Sequence, residues 1–283
     1  RTNKDIRREV EVLRNIEHPN VVRFFDVVER GKEVYIIMEL CDAGNLRDLK
    51  NRIKAENISR GIPPVEGQGP FSQIFVFDIF CQICSGMVAV NRKGTIDNDV
   101  EYMHRDLKLD NIMLTKNNVV KIVDFGLARA IIGRDLFKLE HYSARGTPKY
   151  AATELLRHED YNVKCDVFSL GVVLYELLTG VQLFGEARVL FVVIQNMVDL
   201  ENLHVRKIAE GLQLPSNVNQ FFRGILPKMI QYQDQRIDFF TIEREVLQNR
   251  LAIGRGIDPK YTFEVLSTTK KENEMDAYKP TAV

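Results

Sequence analysis

Two short polar segments of this sequence carry residues whose types and spacing could perform chemistry. The first, residues 104–111, reads H-R-D-L-K-L-D-N, and the second, D-F-G at 124–126, begins 18 positions after Asp106. Carboxylate and amide oxygens are the ligands that Mg²⁺ prefers. An aspartate that accepts a hydroxyl proton, beside a lysine that offsets negative charge, suits transfer of a phosphoryl group from ATP to a hydroxyl. The predicted catalytic residues are Asp106, Lys108, Asn111 and Asp124.

Together the two segments resemble the catalytic and metal-binding motifs of eukaryotic protein kinases. The pairing of Asp106 with Lys108 resembles serine/threonine kinases more than tyrosine kinases, and the resemblance covers about residues 1–250. It implies protein substrates with serine or threonine acceptors, ATP and Mg²⁺ as cofactors, and Asn111 and Asp124 as metal ligands. A turn or capping residue is the alternative interpretation for any single position. It explains the full string and its spacing poorly.

The same resemblance implies a nucleotide site that begins where a predicted strand ends. The C=O of Glu39 and the N–H of Cys41 would meet adenine, Asn45 would touch ribose, and Met113 belongs to the same predicted site. Glu9 matches the helix glutamate of the family, which pairs with a strand lysine that holds the α- and β-phosphates. A surface glutamate in a charge-rich helix is the alternative interpretation for Glu9.

Further positions match landmarks of the family in the expected order. Arg105 would bind a phosphate on the activation segment, residues 124–154, and Ser143 is the best-placed phosphosite within this segment. Such an arginine binds phosphate through paired, charged hydrogen bonds. Thr147, in a G-T-P string, would contact the catalytic Asp–Lys pair as part of a substrate-binding loop.

Two more matches concern stability. Glu154, in the A-T-E string that stands where the family has A-P-E, would form an ion pair with Arg236. Asp166, near the start of a predicted helix, would hold the 104–111 segment in place. Phe168 replaces the tryptophan that is more usual at its position, a mild departure from the family.

The beginning of the chain also departs from the family pattern. No G-x-G-x-x-G string occurs, and Lys4, the lysine upstream of Glu9, lies about one turn away on or near the same helix rather than on a facing strand. The simplest explanation is an N-terminally truncated serine/threonine kinase that is weak or inactive as this chain. The alternative is a pseudokinase that serves as a binding or scaffold module. A purely structural helical scaffold leaves the paired motifs unexplained.

Apolar periodicity predicts an α+β fold of two lobes. Residues 1–40 would form an incomplete small β lobe, with a helix at 4–16 and strands at 21–29 and 33–40, and residues 41–250 would form a mostly helical large lobe. A polar extension at 251–283 is expected to be partly disordered. Helices are predicted at 45–54, 72–91, 164–179, 187–197, 217–231 and 240–250, a hairpin at 112–123, and loops or insertions at 56–72 and 91–101.

Composition indicates which partners and which cellular compartment to expect. The 39 basic and 39 acidic residues cancel, which gives no reason to expect a nucleic acid partner. The longest apolar runs, 74–80 and 167–178, are interrupted by Asp78 and Glu176, so no membrane span of about 18 residues is predicted. Four cysteines, including the C-x-x-C at 81–84, favour buried reduced thiols and a cytoplasmic, intracellular protein.

Overall fold

The computed structural model describes residues 3–31, 33–64, 68–91, 94–95, 98–132, 147–157, 159–184, 212 and 214–254. The predicted phosphosite Ser143, the predicted helix at 187–197 and nearly all of the predicted extension lie outside these residues.

A helix and a hairpin form the small lobe. Helix α1 (Asn3–Asn15) buries Val10 and Leu13 and ends just before the turn that contains Pro19, because proline cannot continue a helix. Strands β1 (Phe24–Arg30) and β2 (Glu33–Met38) pair antiparallel. Gly31 sits in their connection at φ +62°, a conformation that glycine adopts without strain.

Among the described residues of the large lobe, six helices dominate, and α3 and α5 lie at its centre. Both are apolar around most of their circumference, which is typical of fully enclosed helices. α3 packs against α7, and α5 packs against both α3 and α6. The helices are α2 (Leu46–Ser59), α3 (Gln73–Asn91), α4 (Thr153–Leu156), α5 (Lys164–Thr179), α6 (Gln220–Met229) and α7 (Phe239–Gly254).

Five short strands complete the described elements. β5 (Ile112–Leu114) and β6 (Val120–Ile122) form the predicted hairpin, which lies between the two motif segments in sequence. β3 (Gly94–Thr95), β4 (Asn98–Met103) and β7 (Arg129–Ile132) form a second small sheet in the order β3-β4-β7. Small sheets in both lobes and a mostly helical large lobe confirm the predicted α+β, kinase-like fold.

In the large lobe one sequence prediction was incomplete and one was wrong. The predicted insertion at 91–101 contains β3 and most of β4, and β4 pairs with β7 about 30 residues later in the chain. The predicted loop at 56–72 begins too early, because α2 continues to Ser59. The N–H of Arg60 bonds the C=O of Glu56 at 3.0 Å, and Gly61 follows at φ +69°. A left-handed glycine directly after a helix is a common stop signal.

Helix α3 confirms the helix predicted at 72–91, but it is apolar enough to pass a test for membrane spans that the sequence analysis did not expect any segment to pass. Its 19 residues have a mean hydropathy of 1.8 over an 18-residue window, enough by length and composition to cross a bilayer. Among the residues that the structure describes, it is the one helix that meets this test, and 56% of the window is buried inside the protein. Core helices of globular proteins have the same composition, so α3 carries no argument for a membrane span.

The segment after α1 docks on the large lobe through its backbone. The N–H of Ile122 bonds the C=O of Asn20 at 2.9 Å, and the N–H of Val22 bonds the C=O of Ile122 at 3.0 Å. Gly86 of α3 lies directly beneath this contact. A Cβ at Gly86 would lie 3.1 Å from the carbonyl oxygen of Asn20 and 2.8 Å from Cδ1 of Ile122.

We therefore expect Gly86→Ala to lower the free energy of unfolding by about 1–3 kcal/mol, the usual cost of overpacking. Gly224→Ala on α6 is the matched control, since no heavy atom lies within 4 Å of its added Cβ. Alanine favours a helix over glycine by up to about 1 kcal/mol, so Gly224→Ala should be neutral or stabilising. Urea unfolding measures both variants, and equal behaviour would contradict the close approach at Gly86.

Candidate active site

The two motif segments lie side by side. Residues 104–111 connect β4 to β5, and residues 124–126 follow β6. The N–H of Val123 donates to the C=O of Asn111 at 3.0 Å, which ties the residue before Asp124 to the end of the first segment. The structure therefore brings together the four residues predicted to be catalytic.

The Asp106 carboxylate is buried and held by three donors. Its Oδ2 accepts from Nζ of Lys108 at 2.6 Å and from Nδ2 of Asn111 at 3.1 Å. Its Oδ1 accepts from the backbone N–H of Thr147 at 3.3 Å. Thr147 Oγ1 also accepts from Nζ of Lys108 at 3.0 Å, which confirms the predicted contact between Thr147 and the Asp–Lys pair.

Asn111 and Asp124 offer oxygen atoms to a cation. Nδ2 of Asn111 donates to the backbone and side chain of Asp106, so the amide oxygen is the atom left for a metal. Asp124 adopts a left-handed conformation at φ +67°, and its Oδ1 accepts from the N–H of Gly126. Within the described part of the chain, no group of three or more His, Cys, Asp and Glu residues could hold a metal. The two oxygen ligands of Asn111 and Asp124 nevertheless fit Mg²⁺, because this ion commonly binds one or two protein oxygens together with substrate phosphates and water.

His104 supports the site in a way that the sequence analysis missed. Its Nδ1 accepts from the N–H of Asp106 at 3.3 Å, so Nε2 carries the proton and donates to the C=O of Val123 at 2.9 Å. The ring lies 4.8 Å from that of Phe125, centroid to centroid. His104 therefore joins the first motif segment to the second. The family motif itself was the available signal, since it includes this histidine.

Asp166 holds the backbone of the same segment, as predicted. From the first turn of α5, its buried carboxylate accepts the N–H of His104 at 2.7 Å and the N–H of Arg105 at 2.8 Å. Burial raises the pKa of Asp166, although His104 and Arg105 oppose this. The two hydrogen bonds hold Arg105 at φ +63°, a strained conformation for a residue with a side chain.

The Arg105 guanidinium contacts the start of the activation segment. Its Nε donates to the C=O of Leu127 at 2.7 Å, and its Nη1 donates to the hydroxyl of Tyr161 at 2.9 Å. Its predicted phosphate partner, Ser143, lies outside the described residues. Binding of a phosphate by Arg105 therefore stays a prediction.

Glu9 lies inside the protein rather than on its surface. Glu9 is 1% exposed, and α1, the helix that carries it, packs against the turn Phe125–Leu127 that follows Asp124. The surface alternative for Glu9 is therefore wrong, because the residue is buried. Its role beside the nucleotide phosphates stays a prediction.

The predicted adenine-binding segment is fixed by an ion pair that the sequence did not reveal. Oε2 of Glu39 accepts from Nζ of Lys121 at 2.8 Å and from the N–H of Arg23 at 3.2 Å. The N–H of Glu39 in turn bonds the C=O of Arg23 at 2.9 Å. Cys41 is half-buried, and burial, reinforced by the Glu39 carboxylate, raises the pKa of its thiol.

Asn45 has a structural task at the start of α2. Its side-chain oxygen caps the helix by accepting the N–H of Asp48 at 2.8 Å, and its Nδ2 donates to the Asp48 carboxylate at 2.7 Å. Asn45 also forms an isolated β-bridge with Met113, which brings these two predicted nucleotide contacts together. The oxygen and the nitrogen of the Asn45 amide thus both already form hydrogen bonds, so a contact with ribose would have to share or replace these bonds.

The predicted ion pair between Glu154 and Arg236 is confirmed and deeply buried. Nη1 of Arg236 lies 2.5 Å from Oε1 of Glu154, and Nη2 lies 3.0 Å from Oε2. The guanidinium also donates to the C=O groups of Gln231 and Lys164. Its carbon lies 5.0 Å from the ring centroid of Phe168, the residue that replaces tryptophan.

All four cysteines are free thiols, and two of them are buried as predicted. Cys84 and Cys165 are fully buried, and burial raises the pKa of both thiols well above the ordinary value. Cys81, the partner of Cys84 in the C-x-x-C string, is only half-buried. Cys84 and Cys165 therefore pack as small apolar residues.

Comparisons with known proteins agree with the geometry. Residues 1–244 match the protein kinase domain family. The SNF1-related protein kinase catalytic subunit alpha KIN12 of Arabidopsis thaliana is 27% identical over 270 residues, which are 94% of this chain and 47% of that protein. The human hormonally up-regulated neu tumor-associated kinase is 34% identical over 269 residues, 93% of this chain and 31% of that protein.

A third relative is the mouse serine/threonine-protein kinase Nek1, which is 36% identical over 176 residues, 62% of this chain and 13% of that protein. The chain spans less than half the length of each of these three relatives. The family match covers most of the chain and includes both motif segments. The chain therefore belongs to the eukaryotic protein kinase family, and within it to the serine/threonine kinases.

Proposed function

We propose that the protein that carries this chain transfers the terminal phosphoryl group of ATP to serine and threonine hydroxyls of protein substrates. The observation that carries the proposal is the Asp106 carboxylate, held by Lys108, Asn111 and Thr147 next to Asp124. An aspartate in a turn would not need three converging donors. A carboxylate that must receive a proton at one defined place does need them.

Each residue around Asp106 has a separate task in this reaction. Asp106 accepts a hydrogen bond from the substrate hydroxyl, orients its oxygen and takes its proton. Lys108, 2.6 Å from Asp106, stays close enough to the acceptor site to offset negative charge on the transferred group. Thr147 joins the 147–150 turn to this pair, so the surface that receives the substrate is fixed relative to the base.

The cofactor would be held from two sides. Asn111, through its amide oxygen, and Asp124 would hold Mg²⁺, which would supply positive charge to offset the negative charge of the phosphates. Glu39 and Cys41 would present their backbone C=O and N–H to adenine, while Asn45 and Met113 would border the sugar and base. Glu9 would face the phosphates from α1. The free thiols support an intracellular, cytoplasmic location as part of the proposal.

Thermal unfolding of the full-length protein with and without Mg·ATP tests the nucleotide site. A ligand at 100 times its Kd stabilises the folded state by about 2.7 kcal/mol, so we expect a clear rise in Tm. Asp124→Asn should lose most of the Mg²⁺-dependent part of this rise. Unchanged Tm values for the wild type at millimolar Mg·ATP would contradict the proposed cofactors.

Transfer of labelled phosphate to a dephosphorylated protein substrate then separates the two candidate functions. A protein that binds Mg·ATP and labels serine or threonine is a kinase. One that binds Mg·ATP without transfer is a pseudokinase-type binding module, the second candidate, which shares this fold. Label found on tyrosine alone would contradict the assigned acceptor class.

A further inference from the structure

A cluster of charged side chains lies beside the predicted catalytic loop, and no step of the proposed reaction uses it. Four parts of the fold contribute to it: helix α2, helix α5, the loop 104–111 and the turn Pro148–Tyr150. We call it the Arg47 cluster, and its members are Arg47, Lys50, Asp110, Tyr150 and Glu176.

The Arg47 guanidinium makes contacts through all three of its nitrogens. Its Nε lies 3.0 Å and 2.9 Å from the two carboxylate oxygens of Asp110. Its Nη2 donates to the hydroxyl of Tyr150 at 2.6 Å, and its Nη1 lies 3.4 Å from Oε1 of Glu176. These partners raise the pKa of Arg47, although partial burial opposes them. The planar guanidinium is thus enclosed by two carboxylates and a phenol.

Glu176 forms the floor of the cluster. Its side chain is fully buried, and its two oxygens accept from Nζ of Lys50 and from the hydroxyl of Tyr150, each at 2.5 Å. Burial alone would raise the pKa of Glu176, but hydrogen bonds from Lys50 and Tyr150 and the charge of Arg47 lower it. Two cations therefore balance two carboxylates. Without Arg47, one negative charge would remain uncompensated.

The cluster borders the place where a substrate must lie. Asp110 precedes Asn111 and is four positions after the proposed base Asp106, while Tyr150 follows Thr147 by three positions on the turn that contacts this base. The side chains of Arg47 and Asp110 are 22% and 42% exposed. A polypeptide whose hydroxyl reaches Asp106 therefore passes close to the exposed edge of the cluster.

We propose that Arg47 is a specificity-determining residue that fills, from within the chain, a pocket that would otherwise bind a basic side chain of the substrate. The inference rests on the proposed kinase function. An arginine side chain is the natural ligand of two carboxylates and a phenol, because its fork donates to several acceptors at once. Since the pocket already holds one, the protein should accept substrates without an arginine beside the acceptor residue.

Peptide binding to the full-length protein tests this without requiring phosphate transfer. One arginine is moved through the positions on either side of the acceptor serine in a fluorescent peptide series, with the glutamine peptide of each pair as reference. The variant is Arg47→Met, which keeps an apolar stem and removes the guanidinium. Fluorescence anisotropy gives the affinity ratio of each arginine–glutamine pair, and kcat/KM gives a second ratio.

For the wild type we expect ratios within about twofold at every position, because the pocket is filled. For Arg47→Met we expect a gain on the order of tenfold for arginine at one position, since a charged, bidentate contact becomes available. Arg47→Met combined with Asp110→Asn should lose that gain. A wild-type preference of tenfold for arginine, or an Arg47→Met protein that gains no affinity for any arginine peptide, would overturn the inference.

The pocket can also be filled by a small molecule. Millimolar methylguanidinium should raise the Tm of Arg47→Ala more than that of the wild type, and this difference should vanish when Asp110→Asn is added. The measurement applies even if Arg47→Met does not fold well, since the ion can be present during refolding. Equal shifts in wild type and Arg47→Ala would show that no guanidinium pocket opens. If methylguanidinium selectively stabilises Arg47→Ala but no phosphate transfer is detected, the result counts against the proposed function and not against the pocket.

Discussion

Asp106→Asn is expected to lower kcat by about 10²–10⁴-fold, the contribution that a positioned general base makes. Asparagine has nearly the same shape, but its single amide oxygen can accept from Asn111 or from Thr147 and not from both, and a neutral amide does not accept the hydroxyl proton. It also leaves Lys108 without its carboxylate partner at 2.6 Å. Steady-state phosphorylation of a protein substrate by the full-length enzyme measures the change, and KM for ATP should stay close to the wild-type value.

Asp234→Asn is the matched control, because it makes the same chemical change at an exposed position in the loop before Arg236. Its kcat should equal that of the wild type. Thermal unfolding should give similar Tm values for both variants, which separates lost chemistry from lost folding. Normal turnover by Asp106→Asn would refute the assigned base and, with it, the proposed mechanism.

Glu154→Ala is expected to lower the free energy of unfolding by about 3–5 kcal/mol. The side chain of Arg236 is 0% exposed, so removing Glu154 leaves a cation inside the protein without its carboxylate. Such a loss corresponds to a fall in Tm of about 6–20 °C for a domain of this size class. Differential scanning fluorimetry measures the shift, and urea unfolding provides the free energy.

Glu159→Ala serves as the comparison, because Glu159 is 54% exposed and pairs with Arg157 at 3.5 Å on the surface. A surface pair of this kind contributes about 0–1 kcal/mol. Combining Glu154→Ala with Arg236→Met should recover part of the loss, since no buried charge then remains, and Met can pack near Phe168. A Tm for Glu154→Ala that falls no further than that of Glu159→Ala would contradict the buried-pair argument.

The sequence predicts some elements well because their signals are local. Helix α5 was predicted at 164–179, the bounds that the structure shows, since apolar residues dominate this stretch and Gly180 ends it at φ +73°. β4 was missed for the opposite reason. Asn98 and Asp99 are poor strand residues, and they form a strand because they pair with Thr95 and Gly94 of β3. The rest of β4 pairs with β7, whose position the sequence does not reveal.

The same distinction applies to the candidate site. Asp106, Lys108, Asn111 and Asp124 were predicted together because two short strings contain them. Arg47 was not, because its partners Tyr150 and Glu176 are 103 and 129 residues away in the chain. Contacts between distant segments depend on how helices pack, and a single sequence carries no local pattern for them.

Lys121 and Glu39 connect parts of the chain that a nucleotide would touch separately. Lys121 lies on β6, three residues before Asp124, while Glu39 begins the segment proposed to meet adenine. The Glu39 carboxylate thus fixes the segment proposed to meet adenine relative to the strand that leads to Asp124, the proposed metal ligand, before ATP binds. A nucleotide that binds both ends loses less entropy when the two ends are already at their final spacing. Under the proposed function, affinity for ATP would thereby depend partly on a side chain that never contacts it.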